Sequence, residues 1–337
     1  MRKQIFAFVY LFCITNTVFS QYLSFTDGVQ NGLRKSTMPE RSFENGNSQF
    51  SEVSYNFSSA TITDKNVDGE LYNFLHIDGF AKMGQVGAPA LPAHNEIIAM
   101  PRDASGVITI LESVFFEYPG FLIHPALKPA IDTEGSEEPV FEKDNTIYNY
   151  DSFFPENIVE ITNVALSRGT PLAKIQLRPV QFNPVTGVIR VYTRISYRID
   201  YKGGLESFDY IAQENSLHYT NLLKRSVMNS ESIPNGFSKS QSDPDKGSRY
   251  GESNYIIITH SEYLTEANEL AEWKRQLGYS VEVVSQASWL ASQVKSEIHT
   301  RYNNWIPKPD YFLIIGDHTG SFAVPGEIHQ DPSDGDD

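Results

Sequence analysis

A polar segment at residues 229–253 divides the chain into two parts whose hydrophobic patterns differ. It reads NSESIPNGFSKSQSDPDKGSRYGES, and Ser, Asp, Gly and Pro dominate it. Such a composition buries too little apolar surface to order a chain, so we predict an exposed linker. The basic residues Lys239, Lys246 and Arg249 therefore lie where proteolytic nicking concentrates.

Residues 51–228, before the linker, show a succession of short strand patterns. Runs such as YNFSSATIT, NEIIAMP and PLAKIQLRPVQFNP are separated by Gly, Pro, Asn and Asp. Residues 189–199 place alternate apolar side chains on one face, as a strand with one wet side does. Many strands without intervening helices predict an antiparallel β-sandwich. Residues 21–50 are polar, and we interpret them as a loosely ordered lead-in with room for an edge strand.

Residues 254–337 follow a different pattern. YIIIT is a continuous apolar run, typical of a parallel strand that is buried on both faces. Thr259 and Glu262 have the spacing of a capping box that opens a helix. A second helical period covers 287–304, and the strand patterns VEVV and YFLII follow the two helices. This order predicts β-α-β-α-β, the start of a doubly wound parallel sheet.

The first twenty residues have the layout of a secretory signal peptide. Arg2 and Lys3 precede an apolar run that is too short to span a bilayer. We expect cleavage after Ser20 and a secreted, extracellular or cell-surface product without a membrane span. A lipoprotein anchor at Cys13 is disfavoured because bulky Phe12 precedes it.

Composition excludes two classes of function. Cys13 is the only cysteine, so the mature chain has no disulfide and no thiol nucleophile. The formal net charge of −15 repels phosphate backbones, which argues against nucleic-acid partners.

The strand YFLII ends in Gly316, Asp317 and His318. Open α/β sheets bind ligands at this carboxyl end, so Asp317 is a candidate metal ligand, helix cap or orienter of a base. An ordinary turn residue is the alternative. A Ser-His-Asp site from Ser261, His260 and Asp317 is disfavoured because the Gly-x-Ser-x-Gly elbow is absent.

Three groups of residues together resemble the gingipain family of secreted cysteine peptidases. The groups are VGAPALPAHNEIIAMPRDA at 86–104, RGTPLAKIQLRPVQFNPVTGVIRVY at 168–192, and the stretch from SRYGESNYIIITHSEYL to YFLIIGDH. The first two are similar to propeptide motifs, and the third resembles the opening of a caspase-like catalytic domain. The resemblance implies a zymogen whose β-sandwich propeptide, at 51–228, inhibits its own catalytic domain and assists its folding.

The resemblance also implies where sites lie. An Arg-x junction between Arg249 and Tyr250 is the expected activation cleavage site. The family holds structural calcium near the position of Asp317, and Asp334 or Asp336 could add oxygen ligands. The catalytic His and Cys are expected beyond Asp337, in a chain that continues, so the sequence as given is expected to be inactive.

The predicted function is therefore that of a precursor, or a fragment, of a gingipain-type cysteine endopeptidase that acts on proteins and peptides. The alternative is a secreted β-sandwich binding or adhesion protein that carries an inactive α/β segment.

Overall fold

The structure of the protein is a computed structural model, and it describes residues 20–31, 34–67, 69–128, 141–236 and 254–326. Antiparallel sheets precede residue 237, and a parallel sheet follows residue 253. We call residues 20–236 the N-terminal domain and residues 254–326 the C-terminal domain.

The N-terminal domain consists mainly of antiparallel strands. Its strands are β1 (Ser20–Ser24), β2 (Gly28–Asn31), β3 (Glu40–Gly46), β4 (Phe50–Asn56), β5 (Ser59–Val67), β6 (Glu70–His76), β7 (Ala81–Met83), β8 (Leu91–Ala99), β9 (Ser105–Pro119), β10 (Val159–Ser167), β11 (Thr170–Leu177), β12 (Val180–Asn183) and β13 (Val188–Lys202). Its helices are α1 (Asn145–Tyr148), α2 (Asp209–Glu214) and α3 (Leu217–Ser226).

Three sheets pack around one core in the described part of this domain. Their strand orders are β2-β1-β5-β6, β10-β11-β8-β7 and β12-β13-β4-β3, and β9 adds to the last by pairing with β13. The alternation predicted for β13 is confirmed, since Ile189, Val191, Ile195 and Ile199 are fully buried. Tyr192 on the opposite face is also largely buried. The antiparallel β-sandwich fold is therefore confirmed.

The structure differs from the predicted lead-in at residues 21–50. This segment supplies β1, β2 and β3, and β1 pairs with β5 in the register Leu23 to Ala60. The side chains of Leu23 and Phe25 are completely buried in the core. The polar composition was misleading because a strand with one buried face needs few apolar residues. The domain therefore includes β1 to β3 and extends before residue 51.

The first eight residues of the predicted linker also belong to the N-terminal domain. The side chain of Asn229 is fully buried, with its oxygen accepting from the amide of Ala99 and its nitrogen donating to the Ala99 carbonyl. Ile233 lies in the core, and the amide of Gly236 donates to Thr220 Oγ1 at 3.0 Å. The remainder of the predicted linker lies outside the described residues.

The C-terminal domain alternates strands and helices as predicted. Its elements are β14 (Tyr255–His260), α4 (Leu264–Gln276), β15 (Val281–Gln286), α5 (Ala291–Asn304) and β16 (Tyr311–Ile315). The three strands are parallel in the order β15-β14-β16. Ile257 of β14 packs with Ala267 and Ala271 of α4, whereas Ile256 and Val294 lie in a separate cluster on the α5 side. Helices therefore cover both faces, which is the doubly wound arrangement.

No helix among the described residues is long and apolar enough to cross a bilayer.

A polar cluster joins two sheets of the N-terminal domain. Glu96 of β8 accepts hydrogen bonds from Arg41 of β3 at 2.8 Å and from Tyr55 of β4 at 2.9 Å. The Nε2 atom of His94 lies 3.2 Å from the same carboxylate oxygen. This hydrogen bond raises the pKa of His94 above its usual value. Burial opposes ionisation of Glu96, yet its partners hold the pKa of its carboxyl below the usual range.

The domain boundaries generate a first prediction. A fragment of residues 20–236 is expected to unfold cooperatively, with a β-type circular dichroism spectrum. A fragment of residues 51–228 is expected to melt at a lower temperature or without cooperativity, because it lacks β1 to β3 and Ile233. Thermal melts of the two fragments test this. Equal melting temperatures would show that residues 20–50 and 229–236 do not stabilise the domain.

The polar cluster generates a second prediction. Protonated His94 stabilises the fold, so its contribution is complete below about pH 6.5 and is lost as the pH rises through its raised pKa. The stability difference between the wild type and His94→Gln is expected to shrink as the pH rises from about 6 to about 9. Urea unfolding of the 20–236 fragment measures it.

The comparison of the wild type with His94→Gln is required because the pKa of His124 shifts in the opposite direction. Burial lowers the pKa of His124, so its contribution is lost as the pH falls. A difference that is constant with pH would contradict the assignment to His94.

Candidate functional site

The carboxyl end of the parallel sheet is the first candidate site. Asp317 and His318 follow β16 after Gly316, and both are exposed. The ring of Phe322 lies over this end of the sheet, 5.3 Å from the ring of His260. The strand end therefore opens onto an accessible surface, as the crevice rule for open α/β sheets predicts.

The loop after β16 is held in one path by its backbone. Gly316 has φ +152°, and a Cβ added there would lie 2.6 Å from Val324 Cγ2. The carbonyl of Asp317 accepts a hydrogen bond from the amide of Val324 at 2.8 Å. Val324 is buried in the cluster that contains Ile256. Position 316 therefore requires glycine, and Asp317 is exposed in the loop that follows it.

His260 is a structural residue in this site. Its Nε2 donates to the carbonyl of Ala287 at 2.7 Å, and its Nδ1 accepts from the amide of Glu262 at 3.1 Å. Both ring nitrogens are therefore committed, and the imidazole is only 6% exposed. The Ser-His-Asp arrangement is consequently not formed. The predicted capping box is also wrong, because His260 caps the turn and Thr259 is buried inside β14.

Calcium at Asp317 stays a prediction from the resemblance. Ca²⁺ takes six to eight oxygen ligands, and no group of three or more metal-binding side chains occurs within the described ranges. Asp334 and Asp336 lie outside those ranges. The residues described around Asp317 do not by themselves fit a calcium ion.

The predicted cleavage sites have different positions in the structure. Ser20 is the first residue of β1, and its backbone pairs with Thr63 of β5. Arg249 and Tyr250 lie outside the described residues. Both cleavages stay predictions.

A second surface joins the two domains at the opposite, amino end of the parallel sheet. Arg168 donates from Nη2 to the carbonyl of Pro309 at 2.7 Å, and its Nη1 lies 3.5 Å from Asp310 Oδ1. The guanidinium stacks over the ring of Tyr219 at 4.4 Å. The side chains of Arg168 and Asp310 are only 12% and 3% exposed, so this ion pair is largely dry.

Asp310 receives hydrogen bonds from both domains. Ser216 Oγ lies 2.8 and 2.7 Å from the two carboxylate oxygens and donates to them, while it also caps α3 by accepting from the amide of Tyr219. Asn254 Nδ2 donates to Oδ2 at 3.1 Å. A carboxylate beside the amino terminus of α3 is further favoured by the helix dipole.

A neighbouring ion pair extends the contact. Glu214 accepts two hydrogen bonds from Arg102 at 2.9 Å and one from Lys308 at 2.8 Å. The hydrogen bonds from Arg102, and then the one from Lys308, hold the pKa of Glu214 below its usual range. His218 Nε2 and the hydroxyl of Tyr311 lie 2.7 Å apart. We call Arg168, Glu214 and Ser216 with Lys308 and Asp310 the docking clamp.

The sequence contained one signal for the clamp that was missed. Arg168 and Gly169 form the two-residue connection between β10 and β11, and both have positive φ, +50° and +78°. This is the pattern of a type I′ turn, which favours Asn-Gly. An arginine at this position is unusual, and it was overlooked because residues 168–192 were interpreted only as a strand pattern.

Comparisons with known proteins match both domains. The profile described as Propeptide_C25 matches residues 39–229, and the profile of Peptidase family C25 matches residues 248–334. Gingipain R2 of Porphyromonas gingivalis strain W83 is 24% identical over 253 residues, which are 73% of this chain and 32% of that protein. Lys-gingipain HG66 of the same species is 20% identical over 79% of this chain and 16% of its own length. The chain thus spans a third or less of these relatives.

A solved structure supports the fold. The complex of the Porphyromonas gingivalis RgpB pro- and mature domains matches with a TM-score of 0.51 and 19% identity, over 58% of this chain and 100% of that one. The propeptide profile alone covers more than half of the chain. The chain belongs to the gingipain family, as a precursor that joins the C25 propeptide to the opening of the C25 peptidase domain.

Proposed function

We propose that the chain is part of the precursor of a secreted cysteine endopeptidase, with the N-terminal domain acting as propeptide. The observation that carries the proposal is the order of the two family matches on two domains that contact each other directly. The propeptide would restrain the peptidase domain and assist its folding. No observation favours the alternative of an adhesion protein.

The chemistry of the proposed enzyme needs a thiolate. Cys13 is the only cysteine of the sequence and falls in the predicted signal peptide. A cysteine from outside this sequence would attack the peptide carbonyl, with a histidine as its base and backbone N–H groups stabilising the oxyanion. Within this chain, the loop at Asp317 and His318 would border the substrate cleft, since both residues are exposed at the carboxyl end of the parallel sheet.

Secretion is proposed from the N-terminal residues. Arg2 and Lys3 before a short apolar run, with Ser20 at the expected cleavage point, have the layout of a signal peptide. The proposed partner of the propeptide is its own peptidase domain, and the proposed substrates are proteins and peptides.

A third prediction follows from the missing thiol. The 337-residue chain is expected to show no thiol-dependent hydrolysis of Arg- or Lys-containing peptide reporters, with or without reductant, because its single cysteine, Cys13, lies in the predicted signal peptide and not in the peptidase domain. Fluorogenic reporters measure this. The Cys13→Ser variant, which has no cysteine, is the control, and thiol-dependent turnover by the wild-type chain that this variant loses would contradict the proposal.

A fourth prediction concerns activation. Limited digestion of the folded chain with an Arg-specific protease is expected to cut first after Arg249, because the polar linker can enter an active site without unfolding a domain. Sequencing of the C-terminal fragment should then begin at Tyr250. Arg249→Gln should slow this cut and leave cleavage at Lys246 by a Lys-specific protease unchanged. A first cut inside residues 20–236 would show that the activation model is wrong.

A further inference from the structure

The polar cluster around Glu96 contains a histidine whose two ring nitrogens both face oxygen acceptors. The Nε2 atom of His94 lies 3.2 Å from Oε1 of Glu96, and its Nδ1 atom lies 3.1 Å from the backbone carbonyl oxygen of Gly79. A neutral imidazole has one N–H donor and one acceptor nitrogen, whereas an imidazolium has two N–H donors. Only the protonated ring satisfies both contacts, so the geometry identifies His94 as a cation in this fold.

The side chains packed against His94 and Glu96 comprise a second cation, two phenols and several apolar groups. They are Arg41 of β3, Tyr55 of β4, Tyr197 of β13, Phe80 just before β7, and Ile175 and Leu177 of β11. The hydrogen bond to Glu96 raises the pKa of His94 more than burial and the charge of Arg41 lower it. The electrostatic surroundings therefore agree with the hydrogen-bond geometry.

The polar cluster connects all three sheets of the N-terminal domain. Gly79 lies between β6 of the first sheet and β7 of the second, Glu96 lies in β8 of the second sheet, and the donors of β3 and β4 belong to the third. The side chains of His94 and Glu96 are 31% and 17% exposed, so they can exchange protons with the medium. The charge of His94 thus affects contacts between sheets and not only within one.

Loss of the proton from His94 breaks one of its two contacts. Whichever nitrogen keeps its hydrogen, the other then directs a lone pair at the oxygen of Gly79 or of Glu96. The contribution of His94 is complete below about pH 6.5 and is lost as the pH rises through its raised pKa. The pKa of Glu96 is lowered, so its contribution is present above about pH 4.5 and is lost as the pH falls. The cluster is therefore complete in a mildly acidic medium.

We propose that the polar cluster is a pH-sensitive latch that controls how fast the propeptide is degraded, closed in a mildly acidic medium and loosened as the medium becomes alkaline. This inference rests on the proposed function, in which the propeptide restrains the peptidase domain, and it adds a means of regulating that restraint. Proteolysis of a folded domain follows the population of its opened form when reclosing is fast. An alkaline medium therefore shortens the lifetime of the propeptide without any change in the protease that attacks it.

The test measures degradation of the N-terminal domain within the full chain by a nonspecific protease at pH 6 and pH 8.5. Dividing each rate by that of an unfolded reference protein removes the pH dependence of the protease itself. Relative to His94→Gln, the corrected rate of the wild type is expected to rise about 2- to 10-fold between these pH values, the equivalent of one lost hydrogen bond. The comparison with the variant cancels the opposite effect of His124.

Two further variants and one measurement on the wild type make the result specific. Glu96→Gln removes the carboxylate that favours the imidazolium, so it should also flatten the pH dependence. His76→Gln replaces an exposed histidine of β6 and should keep the wild-type profile. NMR titration of the wild-type chain should show the ring of His94 titrating above pH 6.5, and this result does not depend on the folding of any variant in the cluster.

Two outcomes would overturn the latch. One is an equal change of the corrected rate with pH in the wild type, His94→Gln and Glu96→Gln, and the other is a His94 ring that titrates at or below pH 6.5. Neither would affect the proposed peptidase function, which depends on thiol-dependent activity of a longer chain. Conversely, a longer chain without such activity would refute the proposed function, while the pH dependence of degradation would still support the latch.

Discussion

The carboxylate of Asp310 is the group on which both domains depend. The backbone carbonyl of Asn254 accepts hydrogen bonds from the amides of Asp310 and Tyr311, and its side chain accepts one from the amide of Ser280. Asn254 therefore links the amino ends of the three parallel strands. The same Asn254 donates to Asp310. A carboxylate that is 3% exposed is destabilising unless charges and donors compensate it, and Arg168 and Ser216 supply those from the propeptide.

The sequence predicted the fold where one rule decided it. The alternation in β13 and the apolar run in β14 each admit a single interpretation, and both were confirmed. The sequence-based prediction failed where a few apolar side chains were enough to anchor a segment in the core. β1 contributes Leu23 to the core from a polar segment, and Ile233 fixes a stretch that composition alone assigns to a linker. Composition is an average over many residues, whereas the position of a segment can depend on the burial of a single side chain.

The candidate site shows the same limit. The strand pattern located the crevice at Asp317, because the carboxyl end of a parallel strand follows from topology. It did not assign His260, whose role depends on a carbonyl 27 residues further along the chain. Nor did it find the clamp, whose members Arg168 and Asp310 are far apart in sequence and come together only through the packing of two domains.

The two ends of the parallel sheet therefore differ in how they are constrained. At the amino end, Asp310 is surrounded by fixed partners from both domains, and changes there would disturb folding and docking together. At the carboxyl end, Gly316 fixes the path of the loop while Asp317 and His318 remain exposed. The exposed side chains after Gly316 can thus change without removing the contacts that Asp310 makes with the N-terminal domain. Among the described residues, the contacts that Arg168 and Ser216 make with the C-terminal domain thus lie where β16 begins, at the end of the sheet opposite to Asp317.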